Sequence, residues 1–360
     1  MPFAPFVVRS CLSPTTESHM NHRQRFLRAC RCEPVDRPPL WVMRQAGRHL
    51  PEYLKLKEEY SFHQLAQNPE LACEVTLQPL RRYDMDAAIV FTDILVIPEA
   101  MGQNYGFPKG GGIEMEFAVE SSDDVDRLTT DGIAEKLKYV GETLELLRDE
   151  LGDERALIGF GGSPWTLATY MIEGGSSKHK ENARALFYTD RPLFDRLMQM
   201  ITDSLIEYLQ MQIDAGVDAI QIFDSWGGVL APEAFREGSA KWMKKLVDAI
   251  DGQVPTIVFS RGMHEHIGPL VETGADVLGV DWTVRLADIK ATLPENIAVQ
   301  GNLDPVLMNT TPELVRREAT KILEEMRGFD GHIFNLGHGI SPKARIECMQ
   351  ALVEAVSTFE

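Results

Sequence analysis

Apolar and polar positions along this chain switch repeatedly between two periods. Short, uniformly apolar runs recur: PLWVM (39–43), AAIVF (87–91), ALIGF (156–160), AIQIF (219–223), TIVFS (256–260), VLGVD (277–281), IAVQG (297–301) and HIFNL (332–336). They are too short for helices and too continuous for strands with one wet face; strands covered on both faces of a parallel sheet read this way. Between them lie amphipathic stretches of helical period, such as 69–83, 191–216 and 311–327, several opened by Pro-Glu or Thr-Pro. Alternating strand and helix is the mark of βαβ units. The pattern predicts an α/β fold, a single-domain (β/α)8 TIM-type barrel over residues 20–360. A doubly wound sheet is the alternative, weakened because no G-x-G-x-x-G follows the first run. The triplet GGG (110–112) has no strand immediately before it and reads as a turn.

Barrel chemistry sits at the carboxyl ends of the strands, and polar residues follow every run. The first delivers Arg44 and Arg48, the second Asp93, the third Trp165 and Tyr170. Then come Asp224 and Ser225, Arg261, Asp281, Asn302 with Asp304, and finally His338. Plain structural duties account for some of these. Asp224 and Asp281 read equally well as helix caps, Trp165 as wall packing, and His264 and His266 as a solvated helix face. His338 lies between two glycines, an unusual place for core filler. Asp93 follows an apolar strand and precedes ILVIP, so its carboxylate is costly unless paired or used. Arg44 and Arg48, four apart in what reads as a helix-like turn, would share one side and repel. With Gly47 between them permitting close approach, they read as a clamp for carboxylates or phosphates.

Composition narrows the partners. The 360 residues are 44% hydrophobic and 25% charged, with 54 acidic against 36 basic side chains and a formal net charge of −18. Such a surface repels nucleic acid and anionic membranes, and no apolar run is long enough to span a bilayer. The five cysteines have neither disulfide-framework nor zinc-knuckle spacing and suit a reducing, cytoplasmic setting. Residues 1–19 lack core periodicity and read as a disordered leader or a start assigned too far upstream. A plastid location follows only if they are a transit peptide.

The motifs MRQAGRHLPEY, FTDIL, GGSPWTLATYMIEGG, FDSWGG, GNLDP and NLGHGI, in this order, resemble the uroporphyrinogen decarboxylase family over about residues 20–356. The resemblance implies a distorted (β/α)8 barrel, a homodimer, and removal of CO2 from the four acetates of uroporphyrinogen III to give coproporphyrinogen III. It implies no metal and no organic cofactor. By motif match it places Arg44, Gln45, Ala46, Gly47, Arg48, Asp93, Tyr170, Ser225 and His338 at the substrate. Asp93 is then the stabiliser of the ring cation formed on protonation, and Arg44 the residue that orients the acetate or supplies the proton. His49 stands where the family commonly has tyrosine, a change expected to matter little. Two other readings compete. Zinc-dependent corrinoid or thiol methyltransferases share the barrel but need thiolate ligands, which these strand ends lack. A porphyrin-binding protein without catalysis would need the arginines but not Asp93.

Overall fold

The computed structural model describes residues 20–108, 110–263 and 267–359; the leader 1–19 and both His264 and His266 lie outside them. Nine strands are described: β1 (Ala87–Ile89), β2 (Tyr105–Gly106), β3 (Glu114–Met115), β4 (Ala156–Gly162), β5 (Ala219–Asp224), β6 (Thr256–Ser260), β7 (Val277–Gly279), β8 (Ala298–Leu303) and β9 (His332–Leu336). Seven form one parallel sheet in the order β1-β4-β5-β6-β7-β8-β9. Each strand neighbours the next in chain order, so the order never reverses as a doubly wound sheet requires. The short antiparallel pair β2–β3 is an insertion that the hydrophobic pattern did not announce.

Sheet residues are buried on both faces, which is why these runs carry no polar alternation. Helices Pro69–Arg82, Arg191–Asp214 and Pro312–Glu325 lie close to the predicted stretches, each with proline in its first turn and a side-chain cap from Asn68, Asp190 or Thr311. The GGG segment is a turn, closed by Gly111 N–H donating to the Pro108 carbonyl at 2.9 Å.

The run 39–43 corrects an expectation: it is not a strand. Only Leu40 bridges to β9, opposite Phe334, while its carbonyl accepts from Asp86 N–H on the β1 side at 2.8 Å. The reason lies in where its backbone donors go. Pro38 and Pro39 have none. Leu40 N–H donates to Asp86 Oδ2, Val42 N–H to Gln45 Oε1 and Met43 N–H to Asn335 Oδ1, at 2.7, 3.0 and 3.0 Å. Only Trp41 N–H reaches the sheet, donating to the Phe334 carbonyl at 3.4 Å; side chains replace the rest of the ladder. Asp86, fully buried, also accepts from Arg25, Arg37 and the His22 ring, and its pKa falls to about 2 because these partners outweigh desolvation.

Candidate active site

The polar residues at the carboxyl ends of the strands do not all face one space. Beyond Met43 the chain forms consecutive turns rather than a helix, closed by Gln45 N–H to the Val42 carbonyl and Leu50 N–H to that of Gly47. The expected helix-like face is therefore absent. The left-handed residue is Arg44, with φ of 64°, not Gly47. Its backbone turns the guanidinium out of the wall, and both Arg44 and Arg48 are exposed. Gly339 completes the seat, for a Cβ there would lie 2.6 Å from Arg44 Cδ. The second glycine of the NLGHGI motif is thus space for an arginine.

Gln45 is buried and committed to the wall: its amide donates to the Ala87 carbonyl at 3.1 Å while its oxygen holds Val42 N–H. Ala46 is half-buried against the core. Gln45 therefore shapes the loop that carries the arginines rather than projecting beside them. His49 is buried, its Nε2 lacks a hydrogen-bond partner, and desolvation lowers its pKa to about 4.

Asp93 follows β1 and is half-buried. One carboxylate oxygen accepts from Leu95 N–H at 2.9 Å. Burial raises its pKa; the Leu95 and Ile94 N–H groups and the charges of Arg44 and His63 oppose the rise without cancelling it. Arg44 also acts on Tyr170 and His338, so this one guanidinium lies within electrostatic reach of Asp93, Tyr170 and His338. His338 is half-buried, with Phe259 and Trp282 rings at centroid distances of 5.9 and 6.5 Å. Desolvation first, then the Arg44 and Arg261 charges, hold its pKa near 4, so the imidazole is neutral at pH 7. Arg261 stands exposed over the Trp282 ring at 5.6 Å. Among the described residues, none of the guanidiniums of Arg44, Arg48 and Arg261 forms a close ion pair, although Arg44 feels the Asp93 charge at longer range. In a chain of net charge −18, that is a marked omission.

Other strand-end residues hold the scaffold. Asp224 is neither a helix cap nor cleft-lining: it is fully buried and accepts from the hydroxyls of Ser163, Thr166, Ser239 and Ser260 at 2.7–3.1 Å. Asp281 binds Thr283 and Gly262 N–H, as a turn-capping aspartate should. Asn302 donates to the carbonyls of Asp281 and Val284, and Asp304 caps the short helix Pro305–Asn309. Trp165 is wall packing, tied through its indole N–H to the Trp226 carbonyl. Ser225 is half-buried beside Trp226. The described cysteines, Cys30, Cys32, Cys73 and Cys348, lie on or beside helices, none within a strand.

One residue escaped the sequence reading. Lys180 is fully buried, with Nζ 4.3 Å from the centroids of both the Tyr170 and Trp226 rings. Its ammonium has no hydrogen-bond acceptor, and desolvation lowers its pKa to about 8. The polar stretch SSKHKEN offered no hydrophobic period to betray a buried lysine.

The family model described as uroporphyrinogen decarboxylase matches residues 21–359. The chain belongs to the uroporphyrinogen decarboxylase family. Curated relatives named uroporphyrinogen decarboxylase from Hydrogenovibrio crunogenus and Alkalilimnicola ehrlichii are each 46% identical to it. Their alignments cover 92% of this chain and 96% and 93% of theirs. A solved methyltransferase from Methanosarcina mazei superposes with a TM-score of 0.80 at 20% identity, covering 94% of this chain and 98% of that one. At that identity the likeness is one of fold. The uroporphyrinogen decarboxylase assignment therefore rests on sequence, and the methyltransferase likeness speaks only for the curled parallel sheet.

Proposed function

We propose that this chain is a uroporphyrinogen decarboxylase, converting the four ring acetates of uroporphyrinogen III to methyls without metal or organic cofactor. The observation that carries the reading is the pairing of one half-buried carboxylate, Asp93, with unpartnered arginines at the same sheet end. An octacarboxylate substrate supplies the anions that Arg44 and Arg48 lack; guanidiniums bind them with a bidentate fork. Tyr170, Ser225 and the neutral His338 complete the contacts around the ring, with Gly47 and Ala46 carrying the arginine loop past it.

The chemistry follows from charge. An acetate on a pyrrole loses CO2 readily once a ring carbon is protonated and the ring becomes an electron sink. The Asp93 carboxylate, accepting pyrrole N–H bonds, stabilises that cation as it forms. Arg44 orients the acetate that leaves. The fold reading that accompanies this is a complete (β/α)8 barrel in one domain, with residues 39–43 as its eighth stave. We further propose a cytoplasmic homodimer; a sedimentation mass near one chain at micromolar concentration would count against the dimer.

The test is anaerobic turnover. Purified protein without additives should convert uroporphyrinogen to the four-carboxylate product. Absence of product, or stoichiometric zinc in the purified protein, would sink the reading and favour the methyltransferase alternative.

A further inference from the structure

Each acetate that becomes a methyl releases one CO2 and takes up one proton, RCH2CO2⁻ + H⁺ → RCH3 + CO2. A macrocycle seated over Asp93 covers the solvent side of that carboxylate, so a supply of protons from behind has a use. Three buried hydroxyls without hydrogen-bond partners lie near Asp93, one on its neighbour Thr92 and two within electrostatic reach of it. Tyr208 lies on helix Arg191–Asp214 and is fully buried, yet its hydroxyl has no hydrogen-bond partner. The Tyr139 hydroxyl and Thr92 Oγ1, the latter one residue before Asp93, are likewise buried without one. Tyr208 and Thr92 interact, as do Tyr139 and Gln67, but at geometry too poor for a direct hydrogen bond. Buried hydroxyls in such a setting are satisfied by water.

Two carboxyls border this group of hydroxyls. Inward is Asp93, which acts electrostatically on both Tyr139 and Tyr208. Outward is half-buried Glu99, whose Oε2 accepts from the exposed Gln67 amide at 3.2 Å. The other titratable or charged neighbours are Arg44 and Tyr170, which act on or respond to Asp93, His63, near both carboxylates, and Tyr105, edge-on to the His63 ring at 5.0 Å. Burial raises the pKa of both Glu99 and Asp93, which brings each closer to the range where a carboxyl can hold and release a proton.

We propose that the hydroxyls of Tyr208, Tyr139 and Thr92, bridged by water, carry protons from Glu99 at the surface to Asp93 in the cleft; this rests on the decarboxylase reading above. In the balanced step, Glu99 gives its proton to the chain, a proton moves on at each hydroxyl, and the Asp93 carboxylate receives one. Asp93 passes it to the ring carbon and faces the cation as a carboxylate again; after CO2 leaves, the exocyclic methylene takes a second relayed proton and the ring carbon returns the first to the Asp93 carboxylate, so one proton is consumed net. Glu99 is then reprotonated from solvent. Glu99, Tyr139 and Tyr208 are positioning residues in this scheme, acting through Asp93.

Tyr208→Phe, Tyr139→Phe and Glu99→Gln in the full chain test the path. Each should lower kcat by about tenfold or more with KM unchanged and raise the solvent deuterium isotope effect, and Tyr208→Phe with Glu99→Gln should cost no more than either alone. Wild-type kcat and isotope effect in Tyr208→Phe and Glu99→Gln would overturn the relay. So would a lower kcat accompanied by a lower melting temperature and an unchanged isotope effect, the outcome of mere packing. A second readout needs no turnover: the infrared carboxyl band lost in Asp93→Asn should titrate at a different pH in Tyr208→Phe and Glu99→Gln. If the wild type fails to act on uroporphyrinogen, the decarboxylase reading falls, and this titration alone decides the relay; an unmoved band refutes it.

Discussion

The side chain of Arg44 lies across the backbone of Gly339, so that residues nearly three hundred positions apart share one seat. The glycine does not have the left-handed φ that would make alanine strained there. Gly339→Ala should therefore fold normally and displace only the arginine, whose Cδ it would crowd. Misplacing one orienting group can cost on the order of a hundredfold, so kcat/KM should fall by roughly ten- to a hundredfold at unchanged melting temperature. Unchanged kcat/KM would mean that Arg44 reaches its substrate from more than one position.

Arg44→Ala and Arg48→Ala should weaken substrate binding, and the loss should shrink as salt rises. A hydrogen bond to a charged partner contributes about 1.5–3 kcal/mol, which sets the expected scale for each. Lysine should rescue poorly, since a point charge cannot reproduce the fork. Full rescue in a binding assay would argue for charge attraction alone.

Asp93→Asn keeps the shape and removes the charge. Loss of one preorganised electrostatic partner typically costs ~10²–10³ in rate. Binding should change less than kcat, because the pyrroles are neutral until protonated. Asp93→Glu should recover part of the rate. An asparagine variant with wild-type kcat would make Asp93 structural.

Much of the fold could be read from the chain, and the parts that could not have definite causes. The parallel strands were visible because burial on both faces leaves an unbroken apolar run. The run 39–43 has the same composition but is not a strand, since most of its donors are taken by side chains, Gln45 from three residues on and Asp86 and Asn335 from far along the chain. No local pattern carries that information. At the candidate site, Arg44 lies within electrostatic reach of Asp93, Tyr170 and His338, residues delivered by separate motifs. Gln45 sits in the same motif but turns inward, because one glutamine can satisfy both an N–H and a carbonyl of the wall. Asp224 looked like a cap and is instead a buried knot of hydroxyls, whose donors come from three separate segments.

Histidine burial predicts the response to acid. His338, His49 and His332 all have pKa values lowered from 6.5 to about 4, principally by desolvation. Their neutral forms favour the folded state, so this contribution is complete above pH 6.5 and is lost as pH falls through 4. Stability measured by denaturant should decline across that window. His332→Gln should flatten the decline; an unchanged slope would show that His332 is reached by solvent. Asp86 acts at lower pH. With a folded pKa of about 2 against 3.8 unfolded, its contribution is present above 3.8 and lost as pH falls through 2.

The side-chain clasp around residues 39–43 also bears on what happens between molecules. β1 and β9 are the two outer strands of the parallel sheet, and each presents a row of backbone groups that another chain could extend into a shared sheet. Leu40 spans both edges, while Asp86 and Asn335 occupy the donors around it. Because the clasp is ionic at its β1 end and held by a short bridge and the Asn335 side chain at its β9 end, its ionic end can let go without unravelling the strands beneath. A protein that loses Asp86 by mutation or by acid would keep most of its secondary structure and become prone to self-association, and its first symptom would be turbidity rather than a lowered helical signal.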